Sequence, residues 1–255
     1  MTEMAGSSVQ KLRSAETKQE IGAFLQRWPF AWSAAALALR GMSQPRRAAQ
    51  IRSYIDEHSV RRLRIGAGTH SDPGWLCSDL IPLSKGIVFM DATKALPLPD
   101  NSFDFIVSEH MIEHLDLPSG KFMLAECRRV LRAGGVLRIA TPDLERVMRC
   151  ALPENEIDEE SREYIAIVNR DNPNVPEDEK DNPAYMINRV VRAWGHQFLY
   201  DETTLRHLLA EEGFHDIVRC QIGESEHPDL VGVERHHEAI GERHNYLETL
   251  VLEAS

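Results

Sequence analysis

The sequence predicts an α/β protein built on a doubly wound, mostly parallel sheet of seven strands, and three observations predict it. Short apolar runs recur and stop abruptly at polar residues. Amphipathic helical stretches separate several of them. A glycine pair, Gly66-Ala67-Gly68, follows the first run directly. A parallel strand covered on both faces reads as such a continuous apolar run. Ligands of these sheets bind beyond the carboxyl ends of the strands, where the polar stops fall.

The elements follow in chain order. Residues 18–57 have helical periodicity: Ile21, Phe24, Leu25 and Trp28 share one face, and Ile51, Tyr54 and Ile55 share another. Residues 41–45 break that run at Gly41 and Pro45. Residues 1–60 thus read as a helical N-terminal extension. The first strand carries Leu63 and Ile65. Trp75-Leu76-Cys77 ends at Asp79, Ile87 to Met90 at Asp91, Phe103 to Val107 at Ser108-Glu109-His110, and Val136 to Ala140 at Thr141-Pro142-Asp143. Before that fifth strand, Phe122, Met123, Cys127, Val130 and Leu131 mark a helix closed by Ala133-Gly134-Gly135. Residues 61–145 form the ligand-binding core on this reading. Residues 146–195 interrupt the pattern with an acidic run and several prolines, either as a lid over the strand ends or as a surface excursion. Residues 196–255 complete the sheet: Asp201 caps a helix bearing Leu205, Leu208 and Leu209, then strands at Ile217 to Cys220 and Thr249 to Glu253 close it.

Composition narrows the function. With 40 acidic against 29 basic residues, net charge −11, the chain repels phosphate backbones, so nucleic acid is not the expected partner. Arg61, Arg62 and Arg64 read as a solvated strand edge. Cys77, Cys127, Cys150 and Cys220 lie far apart with no C-x-x-C pair, which points to a reducing, cytoplasmic setting rather than a disulfide framework. Residues 28–39, the most apolar stretch, fall short of the ~20 residues that span a bilayer. With Trp28, Phe30 and Trp32 they cover either their own sheet or a second copy in a homodimer.

The chemistry-bearing residues sit at the strand ends. Gly66 and Gly68 let the backbone turn sharply and approach a ligand, while Ser71 stands where the dinucleotide fingerprint requires a third glycine. A carboxylate after the second strand, Asp79, can accept both ribose hydroxyls, and Asp91 after the third can take an adenine amino group. An adenosyl ligand needs that pair.

These residues carry a resemblance. Leu63-Arg-Ile-Gly-Ala-Gly68, Asp79, Asp91, Leu96-Pro-Leu-Pro-Asp-Asn-Ser-Phe-Asp104 and Leu131-Arg-Ala-Gly-Gly-Val-Leu137 resemble class I S-adenosylmethionine (SAM)-dependent methyltransferases of the type 11 branch, over roughly residues 60–145. Trp194-Gly-His-Gln-Phe-Leu-Tyr-Asp201 and Glu212-Gly-Phe214 are a weaker echo. The resemblance implies a Rossmann-like fold with SAM as cofactor. Gly66, Ala67 and Gly68 would face its methionine part, Asp79 with Leu80 its ribose, Asp91 and Ala92 its adenine, and Ser108, Glu109 and His110 the methyl-donor pocket. Little room is left for crossover helices between Gly66 and Trp75 or between Asp79 and Ile87. Either those helices shrink to turns, or Asp79 is not the ribose acid. The short loops are similar to a subgroup linked with sugar or polysaccharide modification, which implies O-methylation of a hydroxyl on a sugar, a glycan or another small molecule. Nitrogen or carbon acceptors are the alternative.

Taking a proton from such a hydroxyl calls for a base, and histidine suits near-neutral pH. His110, Glu113, His114 and His196 are the candidates, and Asp143 either orients the acceptor or caps a helix. His110-Met-Ile-Glu113-His114 also spells H-x-x-E-H, the inverted zinc-peptidase motif, which requires a helix. Glu224, Glu226, His227, Glu234, His236 and His237 match no metal spacing and read as a solvated loop, so no metal is assigned.

Overall fold

The structure, a computed structural model, describes residues 46–82, 84–153, 155–170 and 172–255. The helical face at Ile21 to Trp28, the apolar stretch 28–39 and any dimer contact through it lie outside the described residues. Helix α1, residues 46–57, sends Ile51 and Tyr54 into the main core. The Tyr54 hydroxyl accepts from the Arg62 backbone N–H at 2.7 Å and lies 3.0 Å from the Gly74 carbonyl, tying α1 to the first crossover.

Seven strands form one sheet: β1 (Arg62–Ile65), β2 (Trp75–Asp79), β3 (Ile87–Phe89), β4 (Phe103–Glu109), β5 (Leu131–Pro142), β6 (Val218–Cys220) and β7 (Thr249–Ala254). Their order is β3-β2-β1-β4-β5-β7-β6. β1 to β5 pair in parallel, and β7 enters antiparallel between β5 and β6. The order reverses between β1 and β4, and such a switch point opens a crevice at the carboxyl ends. The predicted doubly wound, mostly parallel sheet is therefore present, and both chain segments at its switch point are ones the sequence marked.

Both early crossovers are turns without a helix among the described residues, so the connections are shortened. β4 instead passes through a 3-10 turn (Ile112–His114) and α2 (Leu117–Val130), capped by Asp116 accepting from Ser119 N–H. Met123, Leu124, Cys127 and Val130 of α2 are fully buried against the sheet. The helix gives way at Leu131 to a bulged start of β5, with a register shift opposite Phe103 and Phe105. Gly134 adopts φ +74°, and a Cβ on Gly135 would lie 3.0 Å from the Asp104 carbonyl, so the glycine pair belongs to this bulge.

The basic trio does not form a solvated edge. β1 is central, and Arg64 is 4 % exposed, paired with Asp72 at 2.9 Å and donating to the Val233 carbonyl at 2.7 Å. Arg62 pairs with Asp229, and the Arg61 backbone N–H donates to Asp104 at 2.8 Å. A charge in a central strand has to be paired when buried, and here Asp72 pairs with Arg64 while the Val233 carbonyl accepts a further hydrogen bond from it.

The segment after β5 is a folded helical unit. It comprises α3 (Leu144–Arg149), α4 (Glu159–Arg170), a 3-10 turn (Glu177–Glu179) and α5 (Pro183–Arg192). Val147, Cys150, Tyr164, Ile165, Val168, Met186 and Val190 form its own apolar cluster, with Leu247 joining from α8 (Glu242–Glu248). The acidic run is partly capping: Asp158 accepts from Ser161 N–H at 2.7 Å. Helix α6 (Glu202–Glu211), capped by Asp201 as expected, and the short α7 (His237–Ile240) complete the described helices.

Candidate active site

The site is assembled from the glycine turn outward. Gly66 and Gly68 adopt φ +74° and +60°, a region that costs other L-residues ~1–2 kcal/mol. A Cβ on Gly66 would also lie 2.5 Å from Met111 Cγ, so that position is closed to a side chain twice over. Asp79, at the end of β2, accepts from Gly68 N–H through Oδ2 and from Ile81 N–H through Oδ1, both at 2.8 Å. It thereby links the glycine turn to the loop after β2. Ala67 is buried, whereas Leu80 beside Asp79 is exposed. Asp91 accepts from Thr93 N–H at 3.0 Å and from its hydroxyl at 2.7 Å, and the adjoining Ala92 packs on the core. Ser108 is fully buried between β1 and β5, and its Oγ has no hydrogen-bond partner among the described residues.

Glu109 is engaged elsewhere than in a pocket wall. Its carboxylate accepts from the backbone N–H groups of Arg235 and His236 at 2.8 Å and lies 3.6 Å from Arg64. That clamp holds residues 235–236 against the end of β4.

The H-x-x-E-H stretch is not a helix. His110 follows β4 directly with φ +44°, and Ile112–His114 is one 3-10 turn. The two histidines therefore do not share one helical face, which removes the peptidase arrangement. Glu113 is fully buried. Its Oε2 accepts from Thr141 Oγ1 at 3.1 Å, and its Oε1 lies 3.3 Å from His110 Nδ1 and 4.0 Å from His114 Nε2. Burial pushes the Glu113 pKa up, but His110 and His114 outweigh it and hold the carboxyl below its usual range. For His110 burial opposes the charge, and Glu113, Glu248 and Glu109 prevail to raise its pKa.

His196 follows α5 through Trp194 and Gly195, at φ +57° and +89°. The next residues bind the 3-10 turn directly: Gln197 N–H donates to the Glu113 carbonyl at 2.8 Å and Gln197 Nε2 to that of His114 at 2.6 Å. His114 and His196 meet edge to face with ring centroids 5.0 Å apart. His196 Nδ1 lies 2.6 Å from the Val190 carbonyl, so it carries the hydrogen and leaves Nε2 with its lone pair. Burial lowers the His196 pKa, with Glu113 acting the other way. Gly66, Met111, Glu113, His114 and His196 thus make one continuous path.

Asp143 is a cap. Oδ1 accepts from Glu145 N–H at 3.0 Å at the start of α3, and Oδ2 pairs with Arg219 at 3.1 Å. Sequence reasoning missed a second group around Glu248, the last residue of α8. His236 Nε2 lies 3.4 Å from Glu248 Oε1, while His244 Nε2 and the Tyr164 hydroxyl each lie 3.1 Å from Oε2. The ring of His236 stacks on His110 at 3.7 Å. The solvated-loop reading of 224–237 therefore fails in part: His236 joins the site, and Glu234 is 4 % exposed, paired with buried Arg138 at 2.5 Å. One signal was available. An antiparallel strand begins at the edge where parallel strands end, so residues just before Thr249 belong there.

The comparisons with known proteins agree with the resemblance. Residues 76–139 match the family model described as a methyltransferase domain. A probable SAM-dependent methyltransferase of Mycolicibacterium smegmatis is 50 % identical over 48 residues, which are 19 % of this chain and 18 % of that protein. One from Mycobacterium tuberculosis is 48 % identical over 48 residues, 19 % of this chain and 17 % of its own. The matched stretch thus spans under a fifth of these relatives. Among solved structures, a SAM-dependent methyltransferase from Archaeoglobus fulgidus aligns with 89 % of this chain and 99 % of its own at 18 % identity, TM-score 0.44. A possible histamine N-methyltransferase from Thermotoga maritima aligns with 90 % and 97 % at 18 % identity, TM-score 0.42.

Proposed function

We propose that this chain is a SAM-dependent methyltransferase that methylates a hydroxyl of a sugar, a glycan or another small molecule, with His196 as the general base. The observation that carries the cofactor is the glycine turn at the switch point, tied to Asp79, in a chain whose residues 76–139 match a methyltransferase domain. The residues fit the group. Gly66 to Gly68 would approach its methionine part, Asp79 and Leu80 its ribose, and Asp91 and Ala92 its adenine. The unpartnered Oγ of Ser108 offers a polar atom at the donor end. Bound SAM supplies a methyl group activated by its sulfonium centre.

The chain's own residues do the remainder. Alignment of acceptor and donor can contribute ~7–11 kcal/mol. His196 Nε2 takes the hydroxyl proton, and the donated Nδ1–H to Val190 fixes the ring for that role. Glu113 faces the imidazolium that results and stabilises it. The half-exposed Trp194 ring, 5.7 Å from His196 and under the Arg189 guanidinium, offers a flat apolar face of the kind sugars stack on. His110, its Nε2 held by the Thr249 hydroxyl, faces Glu113 through Nδ1 and positions that carboxylate. The acceptor pocket is a cytoplasmic, soluble-substrate one on this reading, and among the described residues no helix is long and apolar enough to cross a membrane.

Titration calorimetry with S-adenosylhomocysteine tests the cofactor, wild type beside Asp79→Ala. Micromolar binding weakened at least about tenfold, ~1.4 kcal/mol, supports the assignment. Wild-type protein that binds nothing overturns it. An acceptor screen with labelled SAM, sugars first, then separates oxygen from nitrogen and carbon acceptors.

A further inference from the structure

We propose that His110, His236 and Glu248 form a binding site for one divalent cation of the zinc class. Three chain segments bring them together: the end of β4, the strap held by Glu109, and the end of α8. One ligand atom from each lies within 4.8 Å of the others. His110 Nδ1 and His236 Nε2 lie 3.8 and 3.4 Å from the same oxygen, Glu248 Oε1. Ligands of a tetrahedral ion with bonds near 2.0–2.1 Å sit roughly 3.3–3.5 Å apart, so small side-chain movements suffice.

The protonation pattern makes the same point independently. The Thr249 hydroxyl has one hydrogen and gives it to Asn245 Oδ1 at 3.1 Å. It must therefore accept from His110 Nε2–H, also at 3.1 Å. In the neutral ring that leaves Nδ1 bare, facing Glu248 Oε1 at 3.8 Å and Glu113 Oε1 at 3.3 Å. Glu113 Oε1 is buried and accepts no hydrogen bond from the described residues. A lone pair and two carboxylate oxygens converge there, and only a cation satisfies all three: a proton or a metal ion. The surroundings are those of a metal site. Thr249 fixes the tautomer of His110, Glu109 holds the backbone of His236, and Tyr164 and His244 hold the other oxygen of Glu248. Two imidazoles and one carboxylate suit a borderline ion such as Zn²⁺ or Co²⁺ better than Mg²⁺, and three protein ligands leave a position for an oxygen ligand. No sequence spacing announces the set, because His110 lies about half the chain away from His236 and Glu248.

The test uses untagged full-length protein and Co²⁺ as probe, read by calorimetry and by visible absorption. The expected result is one equivalent bound, with a d–d band that Zn²⁺ displaces. His236→Ala, at a half-exposed position, should weaken binding at least about tenfold and abolish the band, as should Glu248→Gln. His196→Ala should bind Co²⁺ like wild type, which separates this site from the neighbouring Glu113, His114 and His196 group. No binding at roughly 100 µM Co²⁺, or binding indifferent to His236→Ala, means the proton alone fills the site and overturns the proposal. Loss of binding in His196→Ala but not His236→Ala overturns it too. Neither readout depends on SAM or on methyl transfer.

Discussion

The two sides of the sheet are built differently. On the β1-β2-β3 side the connections are stripped to turns, and Asp79 and Asp91 leave strand ends directly. On the β5-β7-β6 side one connection has grown into a helical unit with its own core, and polar residues arrive from Tyr164, His196, His236, His244 and Glu248. The first arrangement fixes a ligand by local geometry, since Asp79 closes its strand and Asp91 follows its own by two residues. The second fixes it by tertiary assembly, where each member depends on another holding it. The proposed cofactor residues lie on the local side and the proposed acceptor chemistry on the assembled side, which is where substrate choice can change without disturbing the sheet.

Perturbing each side measures that division. The largest effect is expected at His196. His196→Ala should lower kcat by ~10²–10⁴-fold and leave S-adenosylhomocysteine affinity within about twofold of wild type; equal loss of both would dissolve the division. The pH profile sharpens it. His196 faces Glu113, His114 and, further off, Glu248, with the Val190 carbonyl on Nδ1 and Trp194 alongside. Burial lowers its pKa, so the neutral base persists to lower pH than in an ordinary histidine. The acid limb of kcat should lie below 6.5 and vanish in the variant. A limb above that value would assign the base elsewhere.

Arg138 comes next, because it binds the assembled side to the sheet. It is fully buried between Glu234 and Glu253, each at 2.5 Å. Arg138→Ala would strand two buried carboxylates and should cost ~3–5 kcal/mol in denaturant unfolding. A loss under ~1 kcal/mol would mean that water reaches the pair. On the local side, Gly66→Ala should cost ~1–2 kcal/mol from its backbone alone and more by displacing Met111. Its cofactor affinity should fall more than that of Leu80→Ala at the exposed neighbour. The smallest effect belongs to Tyr164→Phe, which removes one hydrogen bond to Glu248 and should cost ~0.5–1.5 kcal/mol. No change in its unfolding midpoint would show that His236 and His244 hold the carboxylate unaided.

How much was legible follows from the same division. Parallel strands and their terminal acids announce themselves locally, so Gly66, Asp79, Asp91 and Ser108 were placed correctly at strand ends by periodicity alone. Whether a strand is central depends on distant pairings, so Arg64 read as an edge residue while it lies in the middle of the sheet. Glu248 carried no signal in the sequence, because only the reversed direction of β7 carries it to the site. His236 looked solvated, since Glu109 clamps it there through backbone N–H groups that no pattern of side chains encodes. The H-x-x-E-H spelling carries no peptidase site for a related reason: its meaning depends on a helix, and the positive φ of His110 just after the strand denies it one.

The insertion of β7 between β5 and β6 also sets a folding order. β5 is complete long before its neighbour emerges, with the whole helical unit between them in the chain. Until β7 docks, β5 presents an unpaired row of N–H and C=O groups, a template for a wrong partner. That pairing closes a long loop, so it is slow to find, and β6 has no place in the sheet without it. A nascent or partly unfolded molecule is therefore most vulnerable to aggregation along β5, and anything that delays β7, including a bulky fusion beside it, prolongs that exposure.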